Sequence, residues 1–321
     1  MNKFFKIFFT TLFIVHCSSV VSSEDNLSDN NGNEGSGGFT GGGSQTIPEL
    51  TVELISTYND QTASFATSYG SFMRNFIVHT PPNFDYQTES LPLLFVLHGY
   101  TGRAPSIREY SGFDQIADEE RFIVVYVQGT TDQFGNTGWN VNVVASFLGV
   151  DDVGFFKALI KYFKASYNID SNKIFSSGMS LGGFMSYRLA CELEEINSIG
   201  SVTGSMAGYY QCNPPKKSSI IHLHGMNDAI VPYNGVEWSF SAKAAHDFWK
   251  NHNQCNSQNE ITIPDFNGDG EYTTRLISYD CEDNKSVELY SLEGEGHTWW
   301  KKSWGHDINT SELIWQFFKS Q

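Results

Sequence analysis

The sequence predicts an α/β fold in which helices flank a mostly parallel central sheet. Short apolar runs alternate along the chain with segments whose apolar residues recur at helical spacing. Residues 93–97 and 122–127 are continuously apolar, which indicates strands covered on both faces. The 321 residues are 40% hydrophobic and 15% aromatic, enough to fill such a core. Wholly disordered and collagen-like chains are therefore excluded.

The charge balance limits the partners of the chain. Lys and Arg number 20 against 36 Asp and Glu, so the formal net charge is −16. An acidic surface repels phosphate backbones and anionic lipids, and we expect no nucleic-acid partner.

The first 23 residues resemble a signal peptide. Lys3 and Lys6 are followed by a short apolar stretch at residues 8–15, well below the roughly 20 residues that span a bilayer. Small residues before Glu24 would permit cleavage there, which predicts a secreted or periplasmic protein. In an alternative, Cys17 ends a bacterial lipoprotein signal and carries a lipid anchor, although His16 departs from the small residue usual before that Cys.

Residues 24–46 are rich in Asp, Asn, Ser and then Gly, and predict a disordered tether. One folded domain is expected from Ile47 to Gln321. Four cysteines lie in it, an even number that suits an oxidising compartment. Of the three possible pairings we favour the one local in sequence, Cys191–Cys212 and Cys255–Cys281, because it closes modest loops. Four buried free thiols are the alternative.

The predicted elements follow one another in order. A hairpin turns at Tyr69-Gly70-Ser71, and Asp151 and Asp152 can cap a helix that reaches residue 167. The predicted strands are 62–68, 73–80, 93–97, 122–127, 173–177, 220–224 and 287–292. The other predicted helices are 107–120, 181–193, 238–251 and 311–319.

The candidate nucleophile is Ser180. It lies in Gly178-Met179-Ser180-Leu181-Gly182, the only segment of the chain with the pattern G-x-S-x-G. The pattern alone is weak, but a strand precedes it and a helix follows, the setting in which such a serine is exposed at the end of a strand. The alternative is a Gly-Ser loop without chemistry.

A serine hydroxyl needs a base, and the base needs a carboxylate that orients it. In this setting both should follow the serine, the acid first, each after a strand. Asp228 follows the strand 220–224, and His297 follows the strand 287–292. His306 is the reserve base, whereas His246 and His252 are interpreted as surface residues of a helix.

Two backbone N–H groups should bind the oxyanion of the intermediate. We expect the first from Leu181 and the second from Tyr100, with Thr101 as second choice. His98, at the start of that loop, is interpreted as a structural brace.

Three further features of the sequence are candidates for binding. His222 and His224 face one side of a strand without an evident third ligand, so no metal is predicted. Residues 265–270 open like a calcium loop, but position 12 is Leu276 rather than Glu, which favours an ordinary turn. Trp139 and Trp299 are candidate substrate-binding residues, with core packing as the alternative.

Several separated motifs together resemble the secreted poly(3-hydroxybutyrate) depolymerase and feruloyl esterase group of α/β-hydrolases. They are residues 97–102, 138–140, 150–155, 178–186, 224–228, 231–233 and 296–299. Members often have Asn after the nucleophile, where this chain has Leu181. The resemblance implies an α/β-hydrolase fold, a Ser180–Asp228–His297 triad, no cofactor and the two local disulfides.

The expected activity is a secreted serine carboxylic-ester hydrolase. Its substrates would be feruloyl or acetyl esters of polysaccharides, or a polyester of the poly(3-hydroxybutyrate) kind. A serine peptidase and a non-catalytic binding protein on the same fold are the remaining alternatives.

Overall fold

A computed structural model describes Ile47 and residues 49–321. The predicted signal peptide, Cys17 and the tether at 24–46 lie outside the described residues. None of the helices in the described part is long and apolar enough to cross a bilayer.

Six helices and thirteen strands make up this part of the chain. The strands are β1 (Val52–Thr57), β2 (Thr62–Tyr69), β3 (Phe72–His79), β4 (Leu91–Leu97), β5 (Ile123–Val127), β6 (Thr130–Thr131), β7 (Thr137–Gly138), β8 (Ile169–Met179), β9 (Ser198–Val202), β10 (Ser219–Gly225), β11 (Ser257–Ile263), β12 (Thr273–Tyr279) and β13 (Val287–Leu292). The helices are α1 (Ala104–Ser111), α2 (Phe113–Glu120), α3 (Asp152–Ser166), α4 (Leu181–Glu192), α5 (Ala242–His252) and α6 (Thr310–Lys319).

Eleven of these strands form one sheet in the order β1-β2-β3-β5-β4-β8-β9-β10-β13-β12-β11. Six neighbouring strands at the centre of this order run parallel to one another: β5, β4, β8, β9, β10 and β13. Both margins are antiparallel: β1, β2 and β3 on one side, β12 and β11 on the other. The α/β fold with a mostly parallel centre is confirmed.

The continuous apolarity of the central strands reflects burial on both faces. In β4, Leu93, Phe95 and Leu97 pack into the cluster formed with α3, α4 and α5. Leu94 and Val96 point the other way, into the cluster formed with α1, α2 and α6. The helices therefore form a layer on each side of the sheet, as a parallel sheet requires.

Two predicted helices differ from the structure. The helix expected at 107–120 is two helices, because Gly112 adopts a left-handed conformation (φ 69°) that ends α1 and starts α2. The helix expected at 238–251 begins only at Ala242, where the Ser241 side chain caps it by accepting from the backbone N–H of Ala244. The helix after Asp151 is confirmed, since Asp151 caps it through the N–H of Gly154.

Four strands of the large sheet were missed: β1, β9, β11 and β12. In β1 and β11 most residues are exposed, so neither has the apolar pattern of a covered strand. β9 reads Ser-Ile-Gly-Ser-Val and is buried between two parallel neighbours. Hydrogen bonding to neighbouring strands, rather than their own apolarity, defines these elements.

Both disulfides have the predicted pairing, Cys191–Cys212 and Cys255–Cys281. The first joins α4 to the segment that follows β9, and the second links the segments that follow α5 and β12.

Candidate active site

Ser180 lies on a sharp turn between β8 and α4. Its backbone has φ 55° and ψ −123°, a strained conformation for a residue with a side chain. A Cβ at Gly178 would overlap the backbone of Gly182, and one at Gly182 would overlap the carbonyl oxygen of Leu97. These glycines are therefore required by close backbone approach, which exposes Ser180 at the carboxyl end of β8.

Asp228 and His297 meet at the same edge of the sheet. Asp228 follows β10 and His297 follows β13, two neighbouring parallel strands. His297 Nδ1 lies 2.7 Å from Asp228 Oδ2, which leaves His297 Nε2 for the cleft. The other oxygen, Oδ1, accepts the N–H groups of Ile230 at 2.8 Å and Val231 at 2.9 Å.

The Asp228 carboxylate is stabilised as an anion. Its burial alone would raise the pKa, but hydrogen bonds from His224 and His297 and from the Val231 backbone outweigh burial and hold the pKa well below its usual value. A carboxylate in this state can orient an imidazole and stabilise its protonated form without taking the proton itself.

Ser180 and His297 line one cleft of about 390 Å³. The wall of the cleft comes from the loop after β4 and from helix α1. Sequence reasoning did not assign four of its residues, which lie outside every motif quoted from the sequence; they are Arg103, Ser106, Ile107 and Tyr110. Their position in the sequence is the signal that could have found them, because α1 follows directly on the loop that is expected to bind the oxyanion.

The loop after β4 distinguishes the two candidates for the second oxyanion donor. The N–H of Thr101 donates to the carbonyl oxygen of Thr137 at 2.8 Å and is therefore already used. The N–H of Tyr100 has no acceptor among the described residues. Leu181 is the first residue of α4, where backbone N–H groups point outward from the helix end. Thr101 is therefore wrong as the second choice of oxyanion donor, and the backbone N–H groups of Leu181 and Tyr100 remain the candidates.

His98 is buried beneath this loop. Its Nδ1 lies 2.7 Å from the carbonyl oxygen of Gly99, and its Nε2 accepts the N–H of Gly129 at 2.9 Å. Burial lowers the pKa of His98 to about 4, so the ring is neutral at physiological pH. His98 thus braces the loop, in agreement with its interpretation from sequence.

The prediction that Trp139 and Trp299 bind substrate is wrong. Trp139 and Trp299 are both fully buried, so neither side chain lines the cleft. Trp139 Nε1 donates to the carbonyl oxygen of His98 at 2.8 Å, and Trp299 Nε1 donates to Ser311 Oγ at 3.0 Å. Both support the site from beneath, because their polar atoms are satisfied inside the core.

The reserve base and the two histidines interpreted as helix surface residues do not line the cleft. His306 pairs with Glu295 at 2.5 Å, and His252 contacts the carbonyl oxygen of Lys216. The interpretation of His246 as a surface residue is wrong, since its ring is fully buried and lies 3.3 Å from Ser278 Oγ.

Neither candidate ion site has the form of a ligand cluster. His222 Nε2 lies 2.9 Å from His224 Nδ1, so the two rings are bonded to each other. Residues 265–270 join β11 to β12, and the Asp265 carboxylate accepts the N–H groups of Gly268 and Gly270. Within the described residues, no group of three His, Cys, Asp or Glu side chains could hold a metal ion.

Curated relatives confirm the resemblance stated from the motifs. A bifunctional acetylxylan esterase/xylanase of Neocallimastix patriciarum is 25% identical over 237 residues, 70% of this chain and 31% of that protein. Feruloyl esterase B of Piromyces equi is 25% identical over 238 residues, 70% of this chain and 42% of that protein. Feruloyl esterase D of Neurospora crassa is 24% identical over 274 residues, covering 81% and 86%. The chain thus spans less than half the length of the first and second of these proteins. No family model matches it.

Solved structures confirm the fold. An acetyl xylan esterase from Aspergillus awamori has a TM-score of 0.55 at 14% identity, covering 84% of this chain and all of that one. An S-formylglutathione hydrolase from Agrobacterium tumefaciens has a TM-score of 0.53 at 11% identity, covering 84% and 99%. The chain therefore has the α/β-hydrolase fold that the motifs predicted.

Proposed function

We propose that this chain is a carboxylic ester hydrolase that works through Ser180, His297 and Asp228. The observation that carries the proposal is the 2.7 Å contact of His297 with Asp228 at the cleft into which Ser180 opens. The relatives named as feruloyl and acetylxylan esterases support the same class of reaction.

In the first half-reaction, Ser180 Oγ bonds to the carbonyl carbon of the ester while His297 Nε2 takes the hydroxyl proton. The carbonyl oxygen becomes an oxyanion, for which the N–H groups of Leu181 and Tyr100 are the available donors. Collapse of this intermediate breaks the bond to the alcohol, which leaves with the proton from His297.

In the second half-reaction, water attacks the acyl-enzyme and gives a proton to His297. The new intermediate collapses, Ser180 Oγ takes that proton back, and the carboxylic acid is released. Asp228 remains ionised throughout and stabilises the protonated form of His297.

The substrates we propose are acetyl or feruloyl esters carried by a polysaccharide. The names of the relatives support them, and polyester hydrolysis is the alternative. The two disulfides and the signal-like N-terminus support action outside the cytoplasm. Rates on methyl ferulate, acetylated xylan and a polyhydroxybutyrate film, measured side by side, would separate these substrates.

The central test is Ser180→Ala. We expect loss of hydrolysis of 4-nitrophenyl acetate by at least about a thousandfold and loss of labelling by a fluorophosphonate probe. Ser106→Ala is the matched control, because Ser106 is an exposed serine of the same cleft, and it should keep both properties. Hydrolysis that survives in the Ser180 variant would refute the proposal.

A further inference from the structure

A line of buried polar side chains leads to the carboxylate of Asp228, and the reaction steps above do not use it. Tyr187 OH, on α4, lies 3.0 Å from His222 Nδ1. His222 Nε2 lies 2.9 Å from His224 Nδ1. His224 Nε2 lies 2.8 Å from the carbonyl oxygen of Val231 and 3.4 Å from Asp228 Oδ2.

The ring protons of this line are assigned from the partners. A carbonyl oxygen only accepts, so His224 Nε2 carries a proton and donates to Val231. With one proton on each ring, His224 accepts at Nδ1, which requires His222 Nε2 to donate. His222 Nδ1 is left as an acceptor, and the Tyr187 hydroxyl donates to it. The donors therefore run from Tyr187 through His222 to His224, whose Nε2–H group is bonded to Val231 and lies beside Asp228 Oδ2.

Burial is consistent with this assignment. Tyr187, His222 and His224 are each at most 1% exposed. Burial lowers the pKa of His222 well below its ordinary value, so this ring is neutral. Burial also raises the pKa of Tyr187, so its hydroxyl keeps the proton that it donates.

We propose that His224, held by His222 and Tyr187, is a positioning residue that fixes the Asp228 carboxylate and thereby the orientation of His297. The inference rests on the proposed function. Two backbone N–H groups fix Oδ1 of Asp228, and His297 and His224 share Oδ2. Because Tyr187 belongs to the helix that starts next to Ser180, the line joins the nucleophile's helix to the loop that bears the acid.

The test uses His224→Phe, which keeps a ring and removes both nitrogens. We expect kcat on 4-nitrophenyl acetate to fall roughly tenfold, as for other outer-shell partners, with KM within about twofold. The acid limb of kcat/KM should move to higher pH, because Asp228 Oδ2 loses the N–H group of His224 that lies 3.4 Å away, and the carboxylate then attracts the proton of His297 more strongly. Tyr187→Phe removes one hydroxyl and should shift both quantities the same way by a smaller amount.

Two matched controls exclude a general effect of core damage. His79→Phe changes another buried histidine, whose partners are Thr62 and Asp118, and Tyr126→Phe removes a buried hydroxyl that donates to Asp114. If the His224 and Tyr187 variants behave like these controls, or lose kcat with an unmoved acid limb, the inference is wrong while the Ser180 test still decides the function. Where His224→Phe fails to fold, Tyr187→Phe decides.

A second, independent observation concerns the charge of the cleft. None of the described Asp and Glu residues lines it, and among its described lining residues only Arg103 is permanently charged. Arg103 is exposed and forms no ion pair within the described residues. It also lines an adjoining cavity of about 230 Å³ with Tyr58 and Pro105, and no described carboxylate lines that cavity either.

We infer that Arg103 binds a carboxylate carried by the ester substrate, an inference that also rests on the proposed function. A guanidinium and a carboxylate form two parallel charge-assisted hydrogen bonds. Because Arg103 lines both cavities, the second one offers space for a substituent beyond the scissile bond.

Two pairs of probes test the inference and separate the acyl side from the alcohol side. They are 4-nitrophenyl 4-carboxybenzoate against its 4-carbamoyl analogue, and 4-acetoxybenzoate against 4-acetoxybenzamide. In Arg103→Gln, kcat/KM for the carboxylate member of at least one pair should fall roughly tenfold, with the neutral member within about twofold. Lys161→Gln makes the same charge change on the exposed face of α3 and should alter neither. Equal effects of Arg103→Gln on both members of both pairs would overturn the inference; no hydrolysis of any probe by the unaltered protein would instead refute the proposed function.

Discussion

At the scale of single residues, the candidate site depends on close backbone contacts as much as on its reactive groups. Ser180 is held at φ 55° because β8, α4 and the loop after β4 approach one another around it. Gly182 lies at the centre of this contact, against the carbonyl oxygens of Leu97 and His98. The glycines of the motif therefore set the distance between the nucleophile and the loop that bears Tyr100.

This predicts a large effect of one methyl group. In Gly182→Ala the added Cβ would overlap the Leu97 carbonyl oxygen and lie 2.7 Å from that of His98. Overpacking of this kind costs about 1–3 kcal/mol, and displacement of the loop should lower kcat at least roughly tenfold. Thermal unfolding and kinetics on 4-nitrophenyl acetate measure both effects. Gly296→Ala is the matched control, since its Cβ meets nothing within 4 Å; equal behaviour of the two variants would contradict the argument.

At the scale of elements, the loops that follow the parallel strands carry the site, and buried groups beneath them fix their shape. The loop after β4 is braced by His98, whose two nitrogens are both bonded to backbone groups. The Trp139 indole N–H donates to the carbonyl oxygen of His98. The disulfide Cys191–Cys212 closes the segment between α4 and the region beyond β9.

The buried ring of His98 predicts a pH-dependent stability. Its pKa is about 4 in the folded protein, whereas an unfolded chain has a histidine pKa of about 6.5. Between these values the unfolded chain binds a proton that the folded protein does not. The free energy of unfolding should therefore fall as the pH drops below about 6.5, by up to roughly 1.4 kcal/mol per pH unit, until the pH reaches about 4.

Denaturant unfolding of the unaltered protein and His98→Gln, at about pH 7 and about pH 5, checks this slope. The variant should be less stable at the higher pH and should lose less stability on acidification. Parallel losses in the two proteins would show that His98 does not contribute.

Each disulfide should stabilise the folded protein by an amount that depends on the length of the loop it closes. Cys191–Cys212 closes a separation of 21 residues, for which restriction of the unfolded chain contributes about 3 kcal/mol. Cys191→Ala with Cys212→Ala should lower Tm by roughly 10 °C. Because the separation in Cys255–Cys281 is 26 residues, the corresponding double variant should lose a similar amount and is the natural comparison. An unchanged Tm after reduction of both bonds would contradict this expectation.

At the scale of the whole molecule, the strand order brings the site together. β4, β8, β10 and β13 lie within five consecutive positions of the sheet and run parallel, so the loops at their carboxyl ends meet at one edge. Ser180, Asp228, His297 and the Tyr100 loop come from four separate parts of the chain. All four lie in the segment that begins at Ile47, together with every strand of the sheet.

This distribution predicts that a chain shortened to residues 47–321 folds and acts by itself. We expect its Tm and its kcat/KM on 4-nitrophenyl acetate to equal those of the longer chain, because the described contacts of core and cleft lie within it. Differential scanning calorimetry and steady-state kinetics compare the two. Aggregation or loss of activity in the shorter chain would place a folding determinant before Ile47.

The sequence by itself predicted those features that depend on local chemistry. The apolar runs identified the covered strands, the Gly-x-Ser-x-Gly turn identified Ser180, and the strand ends identified Asp228 and His297 as candidates. Local cysteine spacing identified both disulfides. In each case a short stretch of residues contains the physical cause, whether burial on two faces, a tight turn or a small loop.

Only the tertiary structure decided the features that depend on neighbours distant in the chain. The four missed strands, β1, β9, β11 and β12, are defined by hydrogen bonds to other strands, and Thr101 is excluded as a donor by the carbonyl oxygen of Thr137. Trp139 and Trp299 are core residues because of what packs around them, which their sequence positions do not show. The polar line behind Asp228 joins three elements, and residue order alone does not show which buried donors meet.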